Sequence, residues 1–532
     1  MILFCFSAPL VFPAPSFSSE EIPLETIVVT DTRTARPLAE ATQDIVVVTQ
    51  EDIAGLPARD LGEVLSYVPG IDIAPSRGFG HGSSVTIRGS DSRHVRLMID
   101  GIPLNNQASG QADLSRIPLE NIERIEVIRG PCSSVWGSAL GGVVNVITKD
   151  TGRTPVPHGN VTTSFAEFRT QRHSADAAGA GGSLGYYLSS SYRESGGRGP
   201  RDDVLEKNGF GKVTFDADPQ TRWTASFGYS GAETNSGIYP DGSWLVQPTR
   251  SRYGRIGLQR DDDAGSLRAE AKYAGQNIVT DMFLAAGDTV PLATVRTEDQ
   301  MYQMSVARTT TVRREDRLVF GADVEWHRLA SSYLSADKAL VLGAPYVNYA
   351  FNEAPWGADA GLRYDYNSAY GHEWSPSLGV LYRFEKAPDS FVRFHAARAF
   401  SAPPLLWKHY DLLLSGLTTN PDIHAERAWV YELGAGTRPV APLKLELTLY
   451  RADVSQAINL AVNGTGDYYM KNFEKFRRQG VELRARLDVA AELSLTLAGA
   501  FNDVEDRATG ATVRGGGKPR QSYSLDLDYH NP

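Results

Sequence analysis

The sequence predicts a mostly β protein, with a small α/β globule followed by a large antiparallel transmembrane β-barrel. Residues 25–150 mix short strands with one or two helical segments, whereas the chain beyond Pro157 alternates apolar and polar residues with almost no helical periodicity. A period of two places the two classes of side chain on opposite faces of a strand. Glycine is abundant, at 50 residues, as is typical of a β protein with many tight turns.

The first segment, residues 1–19, has the features of a secretory signal peptide. Residues 1–12 are apolar, and small residues follow up to Ser18 and Ser19, as in a hydrophobic region and cleavage zone. The sequence has no run of about 18 apolar residues, so no membrane-spanning helix is expected. A signal peptide without such a helix leaves two alternatives, a secreted soluble protein and an outer-membrane barrel.

The globule is predicted to contain one or two helical segments, one of them identified, and four strands. Residues 50–67 carry apolar residues at helical spacings, and Pro69 and Gly70 are expected to end this helix. The four segments predicted as strands are 85–87, 95–99, 125–128 and 141–148. The glycine-rich stretch 137–142 lacks the Lys-Ser/Thr of a phosphate-binding loop, so we interpret it as a close-packed turn.

Beyond Pro157, the pattern favours a membrane barrel over a soluble β protein. In residues 481–487 and 443–450, apolar residues alternate with polar or charged ones. Full charges on the polar face, such as Asp323 and Glu482, suit a wet lumen better than a dry core. Many segments end in aromatic residues, as expected of the girdles at a membrane interface. These residues are Tyr229, Trp326, Tyr366, Tyr382, Phe384, Tyr450 and Tyr529.

Composition argues against several classes of function. The net charge of −10 argues against nucleic acid as a partner, because duplex-binding surfaces are normally basic. Two cysteines, Cys5 and Cys132, provide neither a disulfide framework nor a cysteine zinc site. No catalytic constellation and no metal-ligand spacing stand out, so no enzymatic activity and no cofactor are predicted. The acidic runs 202–203 and 261–263 are interpreted as solvated charge clusters, with calcium in outer loops as an unsupported alternative.

Four segments of the globule have a specific order and spacing. They are Val85-Thr86-Ile87-Arg88-Gly89, residues 97–105, residues 122–131 and residues 137–148. Together they closely resemble the plug domain of TonB-dependent outer-membrane receptors. The resemblance covers residues 25–530, and its barrel signatures are residues 400–405, 420–421, 431–434 and 478–483.

The resemblance implies a domain order and an outer-membrane location in a Gram-negative bacterium. The domains are a signal peptide (1–19), a periplasmic segment with a TonB box (20–35), a plug domain inside the lumen (36–152) and a transmembrane barrel (158–532). Large transporters of this kind have about 22 strands, so we expect about 18 here, with about four missing after Pro532. An unclosed barrel leaves edge groups unpaired in lipid, so a truncated product is favoured over a smaller barrel that closes early.

The resemblance also implies an active transporter that imports a scarce nutrient and draws its energy from TonB of the inner-membrane complex. The matching TonB box is Glu25-Thr26-Ile27-Val28-Val29-Thr30, which would pair with TonB by adding a strand. Ion pairs tie the plug to the barrel wall in this family, and the matching residues are Arg88, Arg129, Glu432 and Glu482. The alternative is that these four charges are separately solvated in the lumen.

The expected ligand contacts lie on plug apices and outer loops. The candidates are Arg77, Phe79, His81, Asn105, Gln107, Tyr239 and Trp244, the last two in a long polar loop predicted for residues 231–250. The plug is most similar to the cobalamin receptor type over the segment from residues 83–84 through 94–95 to 112–115, which favours a corrinoid ligand. Residues 122–129 fit ferric catecholate receptors at least as well, so a ferric siderophore is the alternative. A passive porin-like channel or a non-functional fragment is the alternative of another class.

Overall fold

The computed structural model describes the chain except for residues 1–3, 10–26, 29, 31, 76–81, 314–315, 388, 411–417, 463, 465, 491, 514–518 and 530–532. The elements up to residue 148 are short. They are β1 (Phe4–Pro9), β2 (Ile27–Val28), β3 (Arg36–Pro37), β4 (Ile45–Thr49), α1 (Gln50–Gly55), α2 (Leu61–Ser66), β5 (Ile71–Pro75), β6 (Ser83–Ile87), β7 (Val95–Ile99), β8 (Ile102–Pro103), β9 (Ile122–Ile128), α3 (Ser133–Trp136) and β10 (Gly142–Thr148). The four strands predicted for this region are confirmed by β6, β7, β9 and β10.

The plug is built on a five-stranded sheet in the order β4, β9, β10, β7, β8. Two further pairs, β2 with β3 and β5 with β6, lie beside it. β10 runs parallel to β7 and antiparallel to β9, so the sheet is mixed. The plug core is apolar and includes Leu61, Leu97, Ile125 and Val144, each at most 1% exposed.

The prediction of one helix over residues 50–67 is wrong, because the segment forms two helices. α1 ends at Gly55 and α2 begins at Leu61. Pro57 lies between them, and a proline both lacks an N–H and disfavours the helical conformation of the residue before it. The carboxylate of Asp60 then caps α2 by accepting a hydrogen bond from the Glu63 N–H at 3.0 Å.

The wall that follows is a continuous antiparallel sheet. Its strands are β11 (Asn160–Ala166), β12 (Thr170–Gly181), β13 (Leu184–Ser195), β14 (Val204–Asp218), β15 (Thr221–Asn235), β16 (Trp244–Asp262), β17 (Gly265–Phe283), β18 (Ala293–Arg313), β19 (Asp316–Ser331), β20 (Lys338–Glu353), β21 (Trp356–Asn367), β22 (Gly371–Arg383), β23 (Phe391–Ser401), β24 (Glu426–Val440), β25 (Leu443–Val462), β26 (Tyr468–Ala490), β27 (Leu493–Asp506) and β28 (Gln521–Tyr529). A short helix, α4 (Leu405–His409), interrupts the loop between β23 and β24.

The sheet contains 19 strands, of which β11 to β28 are the wall strands that the sequence predicts. The remaining strand is β1, which comes from the predicted signal peptide and pairs with β11 from Phe4–Phe165 to Pro9–Asn160. In the part of the chain that the structure describes, no ladder joins β28 to β1. Removal of the signal peptide stays a prediction.

Side chains on the wall strands have the inside-out pattern of a membrane barrel. On β24 the apolar residues Trp429, Tyr431 and Leu433 are 47%, 42% and 46% exposed, whereas Glu426 and Glu432 are 1% and 6% exposed. A soluble sheet would bury the first set and expose the second. The arrangement therefore fits an apolar surface that faces lipid around a polar lumen.

Two details of the predicted wall are wrong. Tyr450 lies on the lumen side of β25 and is only 6% exposed, so it is not part of an interfacial girdle. The loop predicted for residues 231–250 is shorter, because β15 continues to Asn235 and β16 begins at Trp244. In both cases the strands extend farther than the segments recognised in the sequence.

The plug lies inside the wall. Polar side chains of the plug contact lumen-facing residues of β12, β19, β21, β24 and β26, through pairs such as Arg172 with Glu120 and Arg36 with Asp359. These strands span most of the sheet, so the plug is surrounded on several sides. Among the described residues, no helix combines the length and apolar character needed to cross a membrane.

Candidate functional site

The arginine after β6, Arg88, is held in an uncommon backbone conformation. Its φ is 53° and that of Gly89 is 67°, both in the left-handed region. The Arg88 N–H donates to the Gly70 carbonyl at 2.9 Å, which fixes the turn. A non-glycine residue in this conformation costs free energy that the surrounding contacts must offset. Here those contacts are made by the guanidinium group at the barrel wall.

The Arg88 side chain joins three carboxylates. Its Nε and one terminal nitrogen donate to the two carboxylate oxygens of Glu482, at 2.9 Å each. The same terminal nitrogen donates to Asp44 at 2.7 Å, and the other nitrogen donates to Glu432. The guanidinium carbon lies 4.6 Å from the centre of the Tyr450 ring. Arg88 is 5% exposed, so these interactions are largely shielded from water.

Arg129 reaches the same carboxylates from the end of β9. One terminal nitrogen lies 3.0 Å from a Glu482 oxygen, and the other donates to Asp44 at 3.0 Å. Arg393, on β23, lies 2.6 Å from Asp44. Three arginines therefore meet three carboxylates in what we call the six-charge cluster, made up of Arg88, Arg129, Arg393, Asp44, Glu432 and Glu482.

The structure thus brings together the four residues singled out in the sequence, and it adds two. Asp44 precedes β4 and belongs to no motif, so no signal in the sequence pointed to it. Arg393 shares the lumen-facing phase of its strand with His395, which is 2% exposed, so the alternation marked its face but not its partner. Balanced charge matters here because a buried ion without a partner is costly.

Glycines let the barrel carboxylates approach the plug backbone. A Cβ atom added to Gly130 would collide with the carboxylate of Glu432, and one added to Gly70 would collide with that of Glu482. Gly70 also has a φ of 77°, which favours glycine independently. The glycine after Arg129 is therefore explained by the volume that Glu432 occupies.

The electrostatics of the six-charge cluster keep Asp44 ionised. Burial by itself would raise its pKa, but the nearby guanidinium groups of Arg129, Arg393 and Arg88 hold the pKa well below its usual range. Asp44 therefore stays charged across the physiological pH range. The cluster fixes the plug to β23, β24 and β26 through ionic hydrogen bonds.

A second contact joins the plug to the outer end of β24. Glu426 lies 2.9 Å from Arg93 and 2.8 Å from the Nε2 atom of His94. The His94 Nδ1 atom accepts a hydrogen bond from the Asp91 N–H at 3.2 Å, which leaves the proton on Nε2 to donate to Glu426. Burial lowers the pKa of His94 although Glu426 opposes this, so the ring is neutral at pH 7.

A third contact holds the segment that precedes the plug sheet. Arg33 donates to both oxygens of Asp323 on β19, at 2.8 and 2.7 Å. Its guanidinium carbon lies 4.2 Å from the Trp136 ring centre and 4.4 Å from that of Tyr346. Arg36 pairs in the same bidentate way with Asp359 on β21. No motif in the sequence indicates either arginine, because the partners lie about 300 residues away on strands whose register the sequence does not give.

The described part of the predicted TonB box packs against the plug. β2 pairs with β3, and Val28 and Thr30 are both fully buried. The Thr30 N–H and hydroxyl donate to one Glu126 oxygen at 2.9 and 2.6 Å. Its carbonyl accepts from the Trp136 ring N–H at 2.6 Å. Glu25, Thr26 and Val29 lie outside the described residues.

The predicted ligand-contact residues do not form one group. Arg77, Phe79 and His81 lie outside the described residues. The Asn105 amide bonds the backbone of Leu97, Val95 and Gly110, so it shapes the loop around it. The Gln107 carbonyl accepts a hydrogen bond from the Leu406 N–H of α4 at 3.0 Å, which places the helix over this apex.

The two barrel candidates also differ from each other. Tyr239 is half-buried in the turn between β15 and β16, where its N–H donates to the Ser243 carbonyl at 2.7 Å. Trp244 is 3% exposed and stacks on Phe283 with ring centres 4.0 Å apart. The Arg201 guanidinium carbon lies 4.2 Å from the centre of the Trp244 ring. Trp244 therefore stabilises the outer loops in this conformation.

Models of two protein families match the chain. One describes the TonB-dependent receptor plug domain and matches residues 37–143. The other describes the TonB-dependent receptor-like β-barrel and matches residues 191–532, more than half of the chain. The chain belongs to the TonB-dependent receptor family. As a receptor of this family it is an outer-membrane protein of a Gram-negative bacterium and a transporter rather than an enzyme.

Known relatives and solved structures agree on this fold. The receptor is 27% identical over 518 residues to the vitamin B12 transporter BtuB of Photobacterium profundum, covering 90% of this chain and 78% of the relative. It is similar to a mutant of the ferric enterobactin receptor PfeA of Pseudomonas aeruginosa, with a TM-score of 0.75 and 21% identity over 91% of this chain and 83% of that one. The siderophore receptor PirA of Acinetobacter baumannii gives a TM-score of 0.74 and 19% identity over 91% and 84%. Among the described residues of the receptor, no group of His, Cys, Asp or Glu side chains is arranged to hold a metal ion.

Proposed function

We propose that this receptor imports cobalamin or another corrinoid across the outer membrane, with energy supplied by TonB through residues 25–30. The observation that carries the ligand assignment is the similarity to the vitamin B12 transporter, which extends over nearly the whole chain. The solved siderophore receptors are less than 25% identical, so their likeness concerns the fold. A ferric siderophore is the second candidate, because residues 122–129 resemble ferric catecholate receptors at least as well.

The geometry around residues 27–37 supports the energy-coupling part of the proposal. Strand addition to TonB requires free backbone groups, whereas β2 already pairs with β3 and Thr30 is buried. The segment must therefore leave the plug before it binds. After this segment in the chain, Arg33 and Arg36 form ion pairs with β19 and β21. Once the segment has left the plug, a force applied at Val28 therefore acts first on these two ion pairs.

The ion pairs around the six-charge cluster support a latch between plug and wall. Arg88 and Arg129 are plug residues, whereas Glu432 and Glu482 belong to the wall. The pairs must separate or rearrange if a passage opens between β24, β26 and the plug. This assignment gives the four residues the role that the family resemblance implies for them.

The test is energised uptake by cells that carry the receptor as their only route for the ligand. Radiolabelled cyanocobalamin and ferric enterobactin are compared, and uptake of the first without the second is expected. Val28→Pro removes the N–H that strand addition needs, so it is expected to abolish uptake while surface binding stays within about twofold. Val28→Ala keeps that N–H and serves as the control.

Two results would contradict the proposal. Uptake of ferric enterobactin but not cyanocobalamin would replace the ligand assignment with the second candidate. Unchanged cyanocobalamin uptake by Val28→Pro would show that residues 25–30 are not the point at which TonB acts.

A further inference from the structure

A cavity separates the plug from β24 to β27 on the outer side of the six-charge cluster. Its volume is about 370 Å³, and it lies between residues 89–94 of the plug and the wall. Trp407 of α4 forms part of its lining, with Ile458, Leu460, Met470 and Phe476. Sites for small-molecule ligands typically have about 300–1,000 Å³ and mostly apolar walls. The size and lining of this cavity therefore suit one part of a large ligand.

One cation in this cavity, Arg478, lacks an acidic partner among the described residues, since no carboxylate there lies within ion-pair distance of its guanidinium group. It lies on β26, four residues before Glu482, so both side chains face the lumen. Arg478 lines the cavity but is only 6% exposed, and its Nε atom has no hydrogen-bond partner. Such burial of an unpaired charge is costly, and a bound anion would offset the cost.

The carboxylates that line the same cavity form their ion pairs and hydrogen bonds with residues other than Arg478. Glu426 lies 2.9 Å from Arg93 and also accepts from His94 and from the Ile458 N–H, both at 2.8 Å. Asp91 lies 3.0 Å from Arg93. Arg93 in turn lies under Trp407, with its guanidinium carbon 5.1 Å from the ring centre. Arg93 is thus in direct contact with both Asp91 and Glu426, whereas these two carboxylates act on Arg478 only from beyond ion-pair distance.

We propose that this cavity is a ligand subsite in which Arg478 binds an anionic group, such as a phosphate or phenolate, while Trp407, Met470 and Phe476 contact the apolar body. The inference rests on the proposed import function for the identity of the ligand, but not for the existence of the anion site. A phosphodiester of a corrinoid and the phenolates of a ferric catecholate share this chemistry. Arg478 can donate two hydrogen bonds to either group.

Binding measurements on the full-length receptor in detergent distinguish the two sources. Cyanocobalamin and ferric enterobactin are each titrated against the unchanged receptor, Arg478→Gln and the matched control Arg477→Gln. Arg477 is the neighbouring residue, and it pairs with Asp453 at 2.8 Å instead of lining the cavity. We expect Arg478→Gln to weaken one of the two ligands by about tenfold and Arg477→Gln to change it by less than about twofold. If a ligand binds and neither substitution changes its affinity, the subsite is wrong.

A second measurement needs no knowledge of the ligand. Iodide, an anion, and acrylamide, which is neutral, are used to quench the fluorescence of Trp407, isolated as the difference from Trp407→Phe. The subsite predicts that Arg478→Gln lowers the iodide quenching constant by at least about twofold and leaves the acrylamide constant unchanged, since only the anion is attracted. Arg478→Lys, which keeps the charge, is expected to retain most of the iodide effect.

The two measurements separate failure of the subsite from failure of the proposed function. If neither cyanocobalamin nor ferric enterobactin binds the unchanged receptor but the iodide effect is present, the proposed function is wrong and the anion site stands. If iodide quenching of Trp407 is the same in the unchanged receptor and in Arg478→Gln, the anion site is overturned whatever the binding results.

Discussion

Arg88 of the plug and Glu482 of the barrel wall, 394 residues apart in the chain, form a bidentate ion pair with both donor–acceptor distances at 2.9 Å. Arg88 presents its guanidinium group there from a left-handed backbone conformation. Glu482 also lies 3.0 Å from Arg129. The pair is therefore part of a larger network of ion pairs. Substitution of either residue should also disturb the ion pairs of the other residues in this network.

The first prediction concerns the coupling between Arg129 and Glu482. Arg129→Gln and Glu482→Gln should each destabilise the seating of the plug by a few kcal/mol, on the order of 3–5 for a fully buried pair, because each strands an opposite charge. The double variant should lose clearly less than the sum of the two single losses. The measurement is the free energy of opening of plug peptides, from hydrogen exchange of the solubilised receptor.

Arg484→Gln is the control for this cycle. It lies two residues from Glu482 on β26 and, among the described residues, makes no ion pair or hydrogen bond through its side chain. It should leave the exchange of plug peptides unchanged. Strictly additive losses for Arg129 and Glu482 would mean that the two charges are solvated separately and form no latch.

The second prediction tests the close approach of Glu432 to the plug backbone. Gly130→Ala places a methyl group where the Glu432 carboxylate lies, so the carboxylate must move away from Arg88. We expect a loss of about 1–3 kcal/mol in the opening free energy of the plug, as for other overpacked sites. Gly55→Ala, where the added Cβ meets nothing within 4 Å, is the matched control. Equal behaviour of the two variants would show that the space around Gly130 is not tight.

The third prediction concerns release of the segment before the plug. Thr30→Val removes the hydroxyl that donates to Glu126 and accepts from the Asn145 amide at 2.9 Å, which leaves buried polar groups unpaired at a cost of about 1–3 kcal/mol. Residues 27–30 should then leave the plug more readily. Binding of the purified C-terminal domain of TonB in the absence of ligand should tighten by about tenfold.

Thr34→Val provides the comparison for this substitution. The Thr34 hydroxyl contacts the Thr32 hydroxyl at 3.1 Å and does not reach the plug sheet. The change is expected to alter binding of the TonB domain by less than about twofold. A tightening that is the same for both variants would place the barrier to release elsewhere.

The fourth prediction is a pH dependence at Asp72 on β5. Burial raises its pKa to about 6, and its Oδ2 atom has no hydrogen-bond partner. The unfolded value is about 3.9, so the folded plug binds the proton more tightly, and the stability of the plug falls as pH rises from about 4 to 6. Asp72→Asn removes this loss. At pH 4 the variant and the unchanged receptor should have similar plug stability. Between about pH 4 and pH 6 the plug of the variant should become progressively more stable than that of the unchanged receptor. Above about pH 6 this difference in stability should stay constant.

The measurement is hydrogen exchange of the peptide that contains β5, compared at matched intrinsic exchange rates across this pH range. Glu51→Gln, at the exposed start of α1, controls for a general effect of removing one plug carboxylate. A stability difference that is constant from pH 4 to 8 would show that Asp72 titrates normally.

Much of the fold follows from local patterns. The alternation in residues 481–487 predicted that Glu482 faces the lumen and its apolar neighbours face outwards, and the structure has Val481 and Leu483 at 40% and 52% exposed. This prediction succeeds because a strand has a strict two-residue period. The single helix expected over residues 50–67 is wrong for an equally local reason, because Pro57 interrupts the segment between α1 and α2.

The candidate site was only partly predictable. Motifs in the sequence indicate Arg88, Arg129, Glu432 and Glu482. No signal points to Asp44, and the alternation indicates only the face of Arg393 and not its partner. The sequence predicts that a strand ends at Tyr450 and that this residue lies in a girdle. In the structure β25 continues to Val462, and the Tyr450 ring lies against the guanidinium group of Arg88. An alternating sequence indicates which face of the strand a residue lies on, but it does not indicate the position of that residue along the barrel axis.

By itself, the sequence determined that a polar-lined, apolar-coated sheet follows a separately folded globule, because these properties depend on the period of neighbouring residues. Only the tertiary structure decided which charges meet. Pairs such as Arg33 with Asp323 and Arg88 with Glu482 depend on the register of every intervening strand, and a shift of one residue anywhere turns a lumen side chain towards lipid. The same geometry leaves Arg478 facing a cavity, while Glu482 on the same face of β26 pairs with Arg88 and Arg129.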